Sequence, residues 1–161
     1  MSATPRATRG IVLLSIVTAL LVGATVGVGA FTFGYAEGGS YFSGDAESCA
    51  NCHVMRGHLD AWTKSSHSAF ASCNDCHAPA SGLPKLYSKA RNGFFHSLAF
   101  TTGDFQENLR ITDYNRQVTE AACRSCHENT IAQIDSHAGR MGGDLESMAC
   151  IRCHDTVGHD L

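Results

Sequence analysis

The sequence repeats one chemical motif, C-x-x-C-H, four times. In this motif the two thiols add across the vinyl groups of one haem, and the histidine that follows can reach the iron. A single copy could be half of a zinc site, but all eight cysteines lie in the four copies. Iron–sulfur clusters use other cysteine spacings. The sequence therefore predicts four covalently bound haem c groups, at Cys49/Cys52/His53, Cys73/Cys76/His77, Cys123/Cys126/His127 and Cys150/Cys153/His154.

Histidines outside the motifs are the first source of second axial ligands. His67 lies six residues before Cys73, and His159 lies five residues after His154, so each stands in a short segment tied to a haem. We predict these two as distal ligands, opposite motif histidines such as His77, His127 and His154. His137 is a weaker candidate, whereas His58 and His96 have a simpler role as surface or propionate-bonding residues.

The first motif differs from the others because Met55 follows its histidine by two positions. A thioether ligand raises the reduction potential of a haem relative to histidine. His53 and Met55 are too close in sequence to bind opposite faces of one haem, so either can be the ligand on the tethered side. If Met55 binds, the other face is open or takes a residue from elsewhere, which suits a site where a substrate meets the electron chain. The alternative role of Met55 is packing.

A long uncharged segment precedes the motifs. Residues 1–9 carry two arginines and no acid, and no charge occurs from Gly10 to Ala36. About 20 apolar residues cross a bilayer, so residues 10–36 are predicted to form one uncleaved transmembrane helix. The arginines before this segment predict that the N-terminus lies on the inner side of the cell membrane. The haem domain, residues 37–161, is then on the periplasmic or extracellular side. A cleaved signal peptide is the alternative, because Val28-Gly29-Ala30 resembles a cleavage site.

The predicted fold of the haem domain is mainly α, with short helices and loops packed around four haems. Strand alternation is lacking after Ala46, and Leu86–Phe100 shows helical periodicity after a turn marked by Gly82 and Pro84. The formal net charge is -3 before haem propionates are counted. This charge indicates no nucleic-acid binding and favours a basic or charge-patterned protein partner.

The membrane helix, the C-x-x-C-H-x-M motif, the four haem motifs and the segment Lys-Ala-Arg-Asn-Gly-Phe-Phe-His-Ser at 89–97 resemble the NapC/NirT family of membrane-anchored quinol dehydrogenases. Within that family the resemblance is to the subunit that serves cytochrome c nitrite reductase. It implies that the haem at Cys49 and Cys52 takes Met55 as ligand and lies near a quinol pocket. It also implies bis-histidine haems with His67 and His159, and a lysine ligand from the catalytic subunit on another haem.

The resemblance further implies quinol-site residues on the segment that begins with Lys85 and Lys89. Asn92 stands where the family commonly has an aspartate, and an amide cannot accept a proton in that role. If quinol oxidation needs a base here, another group must supply it, and the sequence leaves Asp60, Asp104 and Glu107 as candidates.

The implied function is oxidation of a membrane quinol, menaquinol being expected, with electrons passing through four haems to a docked multihaem nitrite reductase that forms ammonium. Three alternatives stay open. One is the same kind of donor serving periplasmic nitrate reductase or another terminal reductase. The second is a tethered tetrahaem shuttle without a quinol site. The third is a haem-based sensor, which would normally need a signalling domain.

Overall fold

The computed structural model describes residues 5–106, 109–141 and 149–159, and within these it describes the side chains outside 5–7 and 135–141. Glu107 and the His137 side chain lie outside the described part. Regular structure in the described residues is helical, with no strand, so the prediction of a mainly α fold is confirmed. The helices are α1 (Pro5–Tyr35), α2 (Ala46–Cys49), α3 (Arg56–Lys64), α4 (Cys73–His77), α5 (Gly82–Thr102), α6 (Asp113–Cys126), α7 (Glu128–Met141) and α8 (Cys150–Cys153), with 3-10 turns at Gly38–Phe42, His53–Met55 and Ser66–Ala69.

The first compact unit of the chain ends at Gly39 and contains α1. Its stretch Thr8–Tyr35 contains an 18-residue window with a mean hydropathy of 2.5 and is long and apolar enough to cross a membrane. The Ser15 hydroxyl donates to the Ile11 carbonyl at 2.9 Å, and the Thr25 hydroxyl donates to the Leu21 carbonyl at 2.8 Å. These polar groups are therefore satisfied within the helix, as a hydrocarbon environment requires.

The second compact unit begins at Ser40 and contains all four motifs. Its described residues bury few side chains: Ala46 and Ala78 among the apolar ones, and Ser88 and Thr119 among the polar ones. Large apolar side chains such as Phe70 remain exposed. So small a core made by the chain itself fits a domain whose apolar interior is completed by porphyrin.

Helix α5 begins earlier than its sequence predicts. Gly82 and Pro84 were expected to mark the turn before the helix. Gly82 does have a turn conformation, with a φ of 71°, but it is already the first residue of the helix, and Pro84 lies in the first helical turn. Proline is tolerated there because the first backbone N–H groups of a helix have no intrahelical acceptor. The helix ends at Gly103, whose φ of 74° is the left-handed conformation that glycine adopts readily at this position.

The two faces of α5 differ in polarity. Polar residues recur at helical spacing on one face, and an apolar stripe on the opposite face is exposed to solvent. The Ser88 side chain is fully buried, whereas Leu83 is 81% exposed. The polar face consists of Lys85, Ser88, Lys89, Asn92 and His96; the apolar stripe consists of Leu83, Tyr87, Phe94 and Leu98. The polar face of α5 therefore points into the unit around Ser88, whereas His96, near the end of the same face, is exposed.

Candidate haem and quinol site

Each attachment motif lies in or directly beside a short helical turn. Helix α4 contains the whole second motif, from Cys73 to His77. It starts at Ser72, whose backbone N–H and hydroxyl both donate to Asp75, at 2.8 and 2.9 Å. In this capping box the Ser72 side chain also accepts from the Asp75 backbone N–H. Because residues three apart lie on one face of a helix, the two thiols of the motif face the same side.

Consecutive motifs are neighbours in space. The Cys73 thiol lies within hydrogen-bond distance of Cys49 of the first motif before haem is attached. Cys123 of the third motif has Cys76 among its electrostatic neighbours, and Cys150 of the fourth has Cys123. The attachment sites thus follow one another in space in the order of the sequence.

A side chain of helix α6 also bonds to the backbone of the fourth motif. The Glu120 carboxylate accepts hydrogen bonds from the backbone N–H groups of Cys150 and Ile151, both at 2.9 Å. These two N–H groups belong to the first turn of α8, where they have no acceptor within the helix. Glu120 therefore connects the helix that ends in the third motif to the helix that begins the fourth.

The predicted distal histidines lie beside motif histidines that are distant in sequence. The rings of His67 and His127 have centroids 6.1 Å apart, and those of His77 and His159 have centroids 6.0 Å apart. Two imidazoles on opposite sides of one metal ion have centroids about 6 Å apart, given metal–nitrogen distances of about 2 Å. The spacing of both pairs fits a haem iron. Ligation by these residues, and by His154, stays a prediction.

A third histidine joins the second pair. The rings of His58 and His159 are 4.9 Å apart, and His58 has its Nδ1 atom buried without a hydrogen-bond partner. The sequence favoured a surface role for His58, and its helical position in α3 would not by itself have indicated this contact. His58 and His159 therefore both lie near His77, and either would be placed to ligate a haem iron held by the second motif.

The first motif ends in the 3-10 turn His53–Met55, in which the Met55 N–H donates to the Cys52 carbonyl at 2.8 Å. Met55 is half-buried and His53 is exposed. Which of them binds iron stays a prediction. The motif residues and the spaced histidine pairs fit haem c: the cysteines would hold it covalently, and the histidines or Met55 would ligate the iron.

The quinol-site candidates on α5 lie at different distances from the first motif. Lys89 Nζ donates to the Ser43 carbonyl at 2.9 Å, and the same carbonyl accepts from Asn74 at 2.9 Å. The charge of Lys89 also acts on Cys49. Lys85 instead donates to the Ala80 carbonyl at 3.3 Å, at the start of its own helix. Lys89 is therefore the lysine that lies beside the first attachment site.

The remaining quinol-site candidates are an amide on the polar face of α5 and two aspartates that lie elsewhere. Asn92 is half-buried on the polar face of α5, one turn beyond Lys89. Asp104 lies past the end of α5, and Asp60 lies on α3; both are exposed. Of the candidates for a proton acceptor, neither described aspartate is on the polar face of α5.

Two residues that the sequence did not assign to the quinol site meet next to the first motif. The Tyr41 hydroxyl lies 3.5 Å from His96 Nδ1. The Tyr41 ring lies over Gly93, where an added Cβ would meet ring atoms at 3.5 Å. Tyr41 has Cys52 and Cys49 as electrostatic neighbours. The spacing of His96, four residues after Asn92, is the signal that could have indicated its position.

Comparisons with known proteins agree with the motif pattern. The profile of the NapC/NirT cytochrome c family, N-terminal region, matches residues 11–161. The cytochrome c-type protein NrfH of Wolinella succinogenes is 36% identical over 127 residues, which cover 74% of this chain and 71% of that protein. The cytochrome c nitrite reductase subunit NrfH of Nitratidesulfovibrio vulgaris is 31% identical over 141 residues, 87% of this chain and 82% of that protein.

A solved structure shares the fold as well. One chain of the cytochrome c nitrite reductase NrfHA complex bound to the HQNO inhibitor superposes with a TM-score of 0.61 at 31% identity, over 86% of this chain and 88% of that chain. The family profile covers most of the N-terminal apolar helix together with the four haem motifs. The protein is therefore a c-type cytochrome that carries haem c, and it belongs to the NapC/NirT family.

Proposed function

We propose that this protein is a membrane quinol dehydrogenase. It oxidises a quinol, menaquinol being the expected substrate, beside the haem of the first motif. The electrons pass through four c-type haems to a multihaem nitrite reductase that reduces nitrite to ammonium. The membrane helix has its N-terminus inside, and the haem domain lies on the outer side.

The observation that carries the proposal is the contact of Lys89 with the segment that leads into the first motif. Lys89 Nζ has three donor hydrogens, and the bond to the Ser43 carbonyl engages one of them. The ammonium group can therefore also donate to a quinol oxygen and stabilise the negative charge that develops there when the proton leaves. Asn92, on the same face, can hydrogen bond to the second polar group of the substrate.

The chemistry divides between the residues and the cofactor. When bound, haem c supplies one-electron transfer, whereas the quinol releases two electrons and two protons. The hydrogen bond between Cys49 and Cys73, and the electrostatic proximity of Cys76 to Cys123 and of Cys123 to Cys150, support a continuous electron path from the first motif to the fourth. The chain's own residues must bind the quinol, orient it and take its protons.

The likeness to two NrfH proteins and to a chain of the NrfHA complex supports a nitrite reductase as the electron acceptor. In our proposal that partner also supplies a lysine to one of the haems. Among the described residues, His67 has a ring contact with the motif histidine His127, and His159 has one with the motif histidine His77.

A second candidate is an electron donor to a periplasmic nitrate reductase. The cytochrome c-type protein NapC of Escherichia coli is 29% identical over 177 residues, which cover 92% of this chain and 84% of that protein. Its likeness is weaker than that of the Wolinella protein, so we place the nitrite reductase first.

Two measurements test the proposal. The full-length haem-loaded protein in detergent should be reduced by a menaquinol analogue much faster than a variant in which Cys49 and Cys52 are replaced by alanine. Equal rates would rule out quinol oxidation at the first haem. A multihaem nitrite reductase should co-purify with the membrane-extracted protein; a nitrate reductase in that fraction would support the second candidate instead.

A further inference from the structure

The polar face of α5 contains one side chain that can accept a proton near neutral pH. Asn92 cannot do so, and Lys89 is a cation at that pH. His96 lies one turn beyond Asn92 on the same face, and its imidazole is exposed and so accessible to a substrate. The quinol site needs a base, because each quinol that is oxidised releases two protons.

His96 and Lys89 each contact a residue of the short segment that precedes the first motif. His96 Nδ1 lies 3.5 Å from the Tyr41 hydroxyl, and Tyr41 is an electrostatic neighbour of Cys52 and Cys49. Lys89, seven residues before His96 on the same face, bonds the Ser43 carbonyl two residues beyond Tyr41. His96 and Lys89 therefore border the same segment that enters the first haem site.

We propose that His96 is the proton acceptor for quinol oxidation and that Tyr41 positions its ring. This proposal rests on the proposed quinol dehydrogenase function. With the hydrogen on Nδ1, His96 donates to the Tyr41 hydroxyl and keeps a lone pair on Nε2 for the substrate. The contact is long, as catalytic hydrogen bonds often are before substrate binds.

The proton and electron balance is complete with the groups named. A quinol O–H bond breaks, an N–H bond forms on Nε2, and the electrons leave one at a time for ferric haem c, which becomes ferrous. The imidazolium releases its proton to water and accepts the second one. Per quinol, two protons reach the solvent and two ferric haems are reduced, giving one quinone.

The protonation state of His96 suits this role. Partial desolvation lowers the pKa of His96, and the nearby positive charge of Arg91 lowers it further. The imidazole is therefore unprotonated at pH 7 and has a free lone pair to accept a proton. The titratable or charged groups around it are Arg91 and Lys89 on α5 and Tyr41 on the preceding segment. Burial raises the pKa of Tyr41, so its hydroxyl stays protonated.

The test uses the full-length haem-loaded protein and replaces His96 with asparagine, with His96→Gln as a second variant. General-base catalysis contributes about 10²–10⁴-fold, so we expect the rate of reduction by a menaquinol analogue to fall at least tenfold. In the wild type this rate should decline as the pH falls below the pKa of His96, and this acid limb of the pH–rate profile should be absent in both variants.

Tyr41→Phe should retain the acid limb with a lower rate. The matched control Tyr87→Phe, on the exposed stripe of α5, should behave as the wild type.

A binding measurement gives a readout independent of turnover. The dissociation constant of HQNO, used as a quinol analogue, should rise about tenfold in His96→Asn if the imidazole bonds the ligand. Haem absorption spectra and reduction potentials should match those of the wild type. A wild-type rate and acid limb in both variants would overturn the role of His96 while leaving the quinol dehydrogenase intact. Loss of haem from both variants would also overturn it, in favour of a structural role. A wild type that quinol does not reduce would overturn both proposals.

Discussion

The Glu120 carboxylate accepts a hydrogen bond from the Cys150 backbone N–H at 2.9 Å and so attaches the fourth haem motif to the helix of the third. A second bond from the Ile151 N–H, also at 2.9 Å, makes the contact bidentate. The two residues are thirty positions apart, and nothing in the motif pattern indicates their contact. Because α8 has only four residues, this carboxylate is a large part of what positions it.

Replacing Glu120 with glutamine should therefore destabilise the fourth haem site. Glutamine is uncharged and has one acceptor oxygen, so one of the two N–H groups loses its acceptor and the other keeps only a neutral one. A hydrogen bond to a charged group contributes about 1.5–3 kcal/mol. We expect a lower thermal unfolding midpoint and a lower occupancy of the fourth haem, measured by pyridine haemochrome and mass spectrometry. Glu128→Gln, in the first turn of α7, is the matched control and should lose only a few tenths of a kcal/mol. Equal losses in the two variants would show that the Glu120 contact is unimportant.

The same contact predicts a pH dependence. Burial raises the pKa of Glu120, but the backbone N–H groups of Ile151 and Cys150 lower it more, so its pKa in the folded protein lies below the ordinary value of 4.5. The carboxylate then contributes stability that is fully present above pH 4.5 and is lost as the pH falls through the lower folded-state pKa. The difference in denaturation midpoint between the wild type and Glu120→Gln should shrink below about pH 4. A constant difference would contradict the assignment.

Trp62 forms a hydrogen bond across the loop that contains His67. Its indole Nε1 donates to the Ala71 carbonyl at 3.1 Å, across the 3-10 turn that contains His67. In Trp62→Phe this bond is lost while most of the ring remains, so we expect His67 to be positioned less uniformly. One haem should show a broadened or shifted low-spin electron paramagnetic resonance signal, with the other haems unchanged. Phe70→Leu, at an exposed site in the same loop, should leave all signals as in the wild type.

His159 and His58 are the two candidates for the second iron ligand of the haem that His77 would ligate. The 6.0 Å spacing from His77 to His159 fits axial ligation, so His159→Ala should convert one low-spin haem to high spin. His58→Ala should leave the spin state unchanged, because the 4.9 Å contact from His58 is to His159. Absorption and electron paramagnetic resonance spectra distinguish these outcomes. A spin change in His58→Ala alone would assign the ligand to His58.

Met55→Leu tests the ligand of the first haem. Leucine fills a similar volume but has no sulfur, so a haem ligated by Met55 should change its ligand field and its reduction potential. The other three haems should keep their spectra. If the electron paramagnetic resonance spectrum does not change at all, Met55 is a packing residue and His53 becomes the ligand on the tethered side.

The sequence by itself determined the apolar first helix and the helical class, and it predicted the attachment chemistry. These features depend on residues within a few turns of one another: C-x-x-C-H brings two thiols and a histidine together locally, and the run in α1 is mostly apolar and carries no charge from Gly10 onward. The same locality explains why the start of α5 was placed too late: Pro84 is typical of turns but is also tolerated in the first turn of a helix.

Only the tertiary structure decided which distant residues meet. It brought His67 to His127 and His159 to His77, rather than to the motifs nearest in sequence. It separated Lys89 from Lys85 and brought Tyr41 to His96, fifty-five positions away. The physical reason is that such contacts depend on how the short helices pack around one another, which no local spacing specifies.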